Sequence, residues 1–218
     1  MSVPQSILNW IHSVRPATLV AQSHTWLVES SRRATLTPTL TPERGEGVAV
    51  GFGTGLREQE VRMTDEQYMQ LAIQIARQGI AANQSPFGAV VVRDAGVVAV
   101  AHNTVWHDGD PTAHAEINAI RQAAAVLRCI DLSVCTMFTT CEPCPMCLAA
   151  IHWSKISRVV YGASIADAAA AGFSELHVPA AQLAEAGRSP LRVDAGPLRE
   201  ECRELFELWR TSGTSGVY

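Results

Sequence analysis

The chain has a single lysine, Lys155, and its 17 basic residues against 21 acidic ones leave a formal net charge of −4. No polybasic stretch can track a phosphate backbone, so a large nucleic-acid partner is not expected. Aromatic residues are also scarce, at 6%. No run of eighteen or more apolar residues occurs, which removes a transmembrane helix from consideration. The first thirty residues do not follow the basic-then-apolar order of a secretory leader, because Gln5, Asn9, His12 and Arg15 interrupt it. A cytoplasmic location is expected. Six cysteines in 218 residues are too few for a disulfide scaffold.

What remains is a chain with 47% hydrophobic content, enough for one substantial core and one compact domain. The first 62 residues stand apart. They contain Thr-Leu-Thr-Pro-Thr-Leu-Thr-Pro at 35–42 and a Gly-rich stretch from Gly45 to Gly55, with no sustained period. We expect a poorly ordered extension without catalytic function there, and a catalytic domain over 63–218, with Met63 reading as a natural start.

Order is expected from Thr64, which forms a capping box with Gln67. Tyr68, Leu71, Ala72, Ile75 and Ala76 give one apolar helical face, and Gly79 is placed to close that helix. Phe87–Val92 and Val97–Ala101 read as two antiparallel strands around the turn Arg93-Asp94-Ala95-Gly96. A helix over 112–127, a strand over Cys135–Thr140, a helix over Pro145–Ser154 and a strand over Ile156–Tyr161 follow. The order α-β-β-α-β-α-β predicts an α/β fold, a three-layer α-β-α sandwich on a mixed central sheet. Leu198, Cys202, Leu205 and Trp209 add an amphipathic terminal helix, with Glu200, Glu201, Glu204 and Glu207 on its solvated faces. Cys129, Cys135 and Cys202 sit among apolar residues and read as small buried hydrophobes.

The other three cysteines crowd into Cys141, Cys144 and Cys147. Pro143-Cys-Pro-Met-Cys147 follows a strand and opens a helix, while His114-Ala-Glu116 opens another, so two helix N-termini are expected to meet. Cys144 and Cys147, three residues apart on a first helical turn, can reach one cation, and the helix dipole favours their thiolates. His114 supplies a third ligand. Three protein ligands leave zinc an open fourth position, the arrangement of a catalytic site. Glu116 lies two residues past the histidine, close enough to carry protons but badly placed to ligate. Two other readings stand beside this one. A closed structural zinc site needs a fourth ligand, for which Cys141 is the nearby candidate, and Cys144-Pro-Met-Cys147 also has the form of a redox pair, which leaves His114-Ala-Glu116 unexplained.

With these motifs the chain resembles the cytidine and deoxycytidylate deaminase superfamily. Within it the chain is most similar to bacterial guanine deaminases and plant guanosine deaminases, over roughly residues 64–175. The matching stretches are Pro86-Phe-Gly-Ala-Val-Val-Val92, Asn103-Thr-Val105, Asp110-Pro-Thr-Ala-His-Ala-Glu116, Cys141-Glu-Pro-Cys-Pro-Met-Cys147 and Ala171-Gly-Phe173. The resemblance implies hydrolytic deamination of a free nucleobase or nucleoside, foremost guanine to xanthine, with Zn2+ held by His114, Cys144 and Cys147 and protons moved by Glu116. It implies that Phe87 stacks on the base, Asn103 bonds its edge, the backbone near Ala115 and Cys144 positions the leaving group, and Trp153 and Tyr218 line or close the pocket. A homodimer is implied as well. His152 reads as an ordinary helix histidine.

The match departs at Ser174-Glu175, where those enzymes carry Asp-Asp. Glu175 keeps the substrate-reading carboxylate but adds a methylene, so another amino-substituted ring, such as cytosine, isocytosine or an aminotriazine, is an alternative substrate. Deamination of tRNA adenosine shares the two motifs but calls for a basic terminal helix, whereas this one is net acidic.

Overall fold

The computed structural model describes residues 63–213. Helix α1 (Asp65–Ala81) begins as its sequence dictates. The Thr64 hydroxyl accepts from the Gln67 backbone N–H at 3.3 Å, and the Gln67 side chain accepts from the Thr64 N–H at 2.9 Å. Tyr68, Leu71, Ala72, Ile75 and Ala76 are all buried along one face. Gly79 does not close the helix, which runs on to Ala81. Its role is contact: a Cβ at Gly79 would lie 2.9 Å from the His102 side chain. Helix α1 also approaches the sheet closely at Gly88, where a Cβ would run into the Ala72 carbonyl oxygen.

Strands β1 (Gly88–Arg93) and β2 (Gly96–His102) form the expected hairpin. Arg93 pairs with Gly96, and the two turn residues Asp94 and Ala95 both have positive φ, at 49° and 66°. This is the backbone of a primed turn, whose twist matches that of the strands. A short helix α2 (Val105–Asp108) leads to α3 (Ala115–Leu127), then β3 (Cys135–Cys141), α4 (Pro145–Trp153) and β4 (Arg158–Ala163). Helix α3 starts three residues later than the periodicity suggests, because Asp110 accepts from the Thr112 N–H and hydroxyl and holds 110–113 in a turn.

Three elements between β4 and the terminal helix have no counterpart in the sequence reading: α5 (Ile165–Ala170), α6 (Ala180–Ala186) and β5 (Arg192–Ala195). The sheet is therefore five-stranded, in the order β2-β1-β3-β4-β5. β1 is antiparallel to β2 and β3, whereas β3, β4 and β5 are parallel. Helix α7 (Arg199–Thr211) ends the described chain.

Alternation along the central strands divides the interior into two cores, as a sheet covered on both faces requires. Val90, Phe138 and Val160 pack with α1 and α7, whereas Val91, Met137 and Val159 pack with Ala119 and Ala123 of α3, Leu148 and Ile151 of α4, and Ala184 of α6. The expected three-layer α-β-α sandwich is thus present. Phe138, 2% exposed at the centre of β3, is the largest fully buried side chain among the described residues; its truncation to Ala would cost about 3–5 kcal/mol. Cys135 and Cys202 are buried as expected, but Cys129 is exposed, because the chain leaves α3 through Arg128 in the left-handed region and turns outward. All six cysteines are free. No described helix is long and apolar enough to cross a membrane. The expectations for residues 1–62 and for Tyr218 fall outside the described residues.

Candidate active site

The starts of α3 and α4 meet beside the end of β3. His114 is the N-cap of α3 and Cys144 the N-cap of α4; Pro145 takes the first helical position, where a missing N–H costs nothing. This places the His114 Nδ1 3.8 Å from Cys144 Sγ and 3.5 Å from Cys147 Sγ. The donor atoms of all three residues lie within 4.8 Å of one another. A tetrahedral zinc ion with Zn–S of about 2.3 Å and Zn–N of about 2.0 Å would separate sulfur from nitrogen by about 3.5 Å, close to both observed separations, so the three residues fit such an ion. Among the described residues this is the single cluster that can hold a metal. Cys141 is not in it: its thiol is buried, directed at the Ser164 carbonyl at 3.8 Å, and pushed well above the usual range by burial. The closed four-ligand reading loses its candidate.

The electrostatics agree with a cation site. Neighbouring Cys147 and His114 hold the Cys144 thiol down to about 4 against the effect of burial. Cys147 is pushed up by the neighbouring Cys144 and by its own burial. A shared cation would favour both sulfurs as thiolates.

Glu116, on the first turn of α3, is 5% exposed. Burial raises its carboxyl to about 7, opposed by His114. Its oxygens accept from the Thr139 hydroxyl at 3.3 Å and from the Cys147 thiol at 3.5 Å. The carboxylate is thus turned toward the His114, Cys144 and Cys147 cluster while remaining outside it.

Above this floor lies a cleft of about 340 Å³, within the range of small-ligand pockets. His114, Glu116 and Cys144 line its base, and Phe87, Phe173 and Glu175 its walls. The Phe87 and Phe173 rings meet edge to face at 5.0 Å, and behind them Phe206 and Trp209 of α7 continue the aromatic packing, with Trp209 4.9 Å from Phe173. Burial raises the Glu175 carboxyl, and nearby Cys144 adds to the effect.

The structure brings together His114, Cys144, Cys147, Glu116, Phe87 and Glu175. It does not bring the others to the cleft wall. Asn103 is fully buried at the end of β2, where its side-chain oxygen accepts from the Val105 N–H at 3.1 Å. Ala115 is buried at the first turn of α3. Trp153 is 81% exposed at the end of α4, away from the cleft, because the apolar face of that helix is carried by Leu148 and Ile151. His152 is paired with the Ser189 hydroxyl at 2.8 Å, an ordinary surface contact. Phe173, Thr139 and Glu142 were missed as functional candidates. Alternation on β3 puts Thr139 on the Met137 face, toward α3, and was the available signal for it.

The pattern that defines the cytidine and deoxycytidylate deaminase zinc-binding region matches residues 62–163. A guanine deaminase from Bacillus subtilis (strain 168) is 46% identical over 114 residues, which are 52% of this chain and 73% of that protein. The chain belongs to this zinc-binding deaminase family. Among solved structures of the family, the guanine deaminase from Nitrosomonas europaea superposes with a TM-score of 0.64 at 32% identity, covering 71% of this chain and 89% of that one. A tRNA-specific adenosine deaminase from Aquifex aeolicus (strain VF5) is 36% identical over 101 residues, 46% of this chain and 67% of that protein. The redox-pair reading of Cys144 and Cys147 is set aside by this membership, which accounts for His114 and Glu116 as well.

Proposed function

We propose that this chain is a zinc-dependent hydrolase that deaminates a free nucleobase, guanine to xanthine with release of ammonia. The observation that carries the reading is the pairing, across one small cleft, of the His114, Cys144 and Cys147 cluster with two carboxylates, Glu116 at the floor and Glu175 on the wall. Guanine is flat and presents N1–H and a 2-amino group on one edge. The Glu175 carboxylate can accept from both, with the ring against Phe87. Zinc held by His114, Cys144 and Cys147 supplies the acidity that makes water a nucleophile at neutral pH. Glu116, raised to about 7, would take a proton from the attacking water and pass it to the unprotonated ring nitrogen beside the attacked carbon; it would then carry the proton of the newly formed C–OH to the amino group, so that the C–N bond breaks, ammonia leaves and the carbonyl of xanthine forms. The backbone at Ala115 and Cys144 is assigned to positioning the leaving group, with Tyr218 a candidate closure of the site.

The free cysteines agree with a reducing, cytoplasmic location. A homodimer is proposed with the exposed Trp153 on its contact surface, an assignment that light scattering on wild type and Trp153→Ala checks. Ammonia release from guanine, guanosine, cytosine, isocytosine, adenine and ammeline tests the substrate. Guanine should react fastest. An inert guanine beside a reactive smaller ring would reassign the substrate and place the difference at Glu175.

A further inference from the structure

Glu142 is no part of the metal cluster, and although it borders the cleft its carboxylate is committed elsewhere. It precedes Pro143-Cys144, is 8% exposed, and uses both carboxylate oxygens on backbone donors far away in sequence. Oε2 accepts from the Ile165 N–H at 3.0 Å and Oε1 from the Ala180 N–H at 2.8 Å. Its own N–H donates to the Ala163 carbonyl at 2.7 Å, fixing it to the end of β4. Ile165 and Ala180 are the first residues of α5 and α6, where N–H groups have no partner within the helix. Helix α6 cannot supply one itself, because its N-cap is Pro179, which makes no side-chain cap. One buried carboxylate therefore pins both ends of the stretch 165–180.

That stretch carries the substrate-facing wall. Phe173, Ser174, Glu175 and Leu176 line the cleft. Among the described residues the only backbone hydrogen bonds donated from 174–179 are internal to the wall, Glu175 N–H to Phe173 and Val178 N–H to Leu176. The next bond along the chain is the one from Ala180 to Glu142. We infer that Glu142 is a positioning residue for substrate recognition: its two-ended clip holds the 173–176 wall in register with the metal cluster, so that Glu175 meets the base at a fixed distance from the attacked carbon. The kinetic part of this inference rests on the guanine reading; the clip itself does not.

Three measurements test it on the zinc-loaded full chain. In the wild type, the Ile165 and Ala180 amides should exchange with solvent at least about tenfold more slowly than those of Ser174 and Leu176. In Glu142→Gln, which keeps the shape but has one acceptor oxygen, that protection should fall while zinc content and far-UV dichroism stay unchanged. The same variant should raise KM for guanine about tenfold with kcat within about threefold. In a cycle with Glu175→Gln the two KM effects should fall short of additivity, because the clip acts through Glu175. Additive effects, unprotected Ile165 and Ala180 amides in the wild type, or loss of zinc or of the whole fold in Glu142→Gln would each overturn the inference. A wild type inert toward guanine would sink the substrate reading alone, since the exchange measurements would still decide the clip.

Discussion

At the scale of single residues the site separates metal holding from proton transfer. Glu116→Gln keeps the volume of a side chain with 5% exposure but removes the carboxylate. It should lower ammonia release by about 10²–10⁴-fold with zinc retained. Cys147→Ser should instead lose zinc together with turnover, read by metal analysis of the purified protein. Retained activity in Glu116→Gln would remove it as the proton carrier. The contrast also shows what was legible in the sequence. His114, Glu116, Cys144 and Cys147 could be read because ligand chemistry restricts residue type and spacing within short segments. Trp153 could not, since nothing in a local spacing says whether the face it occupies is covered. Glu142 was hidden for another reason: its partners, Ile165 and Ala180, lie in a region with weak periodicity of its own.

At the scale of elements, the hairpin β1–β2 and the junction of α5 with α7 carry opposite lessons. Ala95 sits at φ 66° in the turn, a region that costs an L-residue roughly 1 kcal/mol and suits glycine. Ala95→Gly should raise stability in urea by up to about 1 kcal/mol without touching the Tyr68 hydroxyl bond to the residue-95 carbonyl. Asp167 caps α5, accepting from the Ser164 N–H and hydroxyl at 2.8 Å each, and pairs with Arg199 and Arg203 of α7. Burial acts to raise its carboxyl, yet those hydrogen bonds and charges prevail and hold it below the usual range. Its stabilisation is therefore complete above the unfolded value of about 3.9 and is lost as pH falls through the lower native value. Asp167→Asn should cost about 1–2 kcal/mol at neutral pH and flatten the acid limb of the stability profile. The sequence shows α7 as an amphipathic helix with acidic faces, and it is one. That its arginines answer to Asp167 was not visible, because the pairing spans 32 positions of chain. Strand β5 escaped notice because Arg-Val-Asp-Ala is four residues long with Val193 its one β-branched residue, as an edge strand can be.

At the scale of the molecule, among the described residues the cleft is lined by side chains between 87 and 176, and both cores assemble within 63–213. A chain beginning at Met63 should keep its zinc and at least about half of the kcat/KM of the full chain, a difference within the reach of ordinary kinetics. A large loss would assign residues 1–62 a part in catalysis. The three-layer arrangement was readable because α-β alternation admits few topologies, whereas the fifth strand and the path from β4 to α7 depend on tertiary contacts.

The aromatic packing behind the cleft has an optical consequence. Trp209 is 4% exposed, and its ring stacks on Phe173, which is itself part of the cleft wall. Any guest that shifts Phe173 changes the surroundings of an indole that water barely reaches. The emission of this tryptophan, isolated by subtracting the spectrum of Trp209→Phe, makes the protein its own gauge of occupancy, free of added dyes and of any need for turnover.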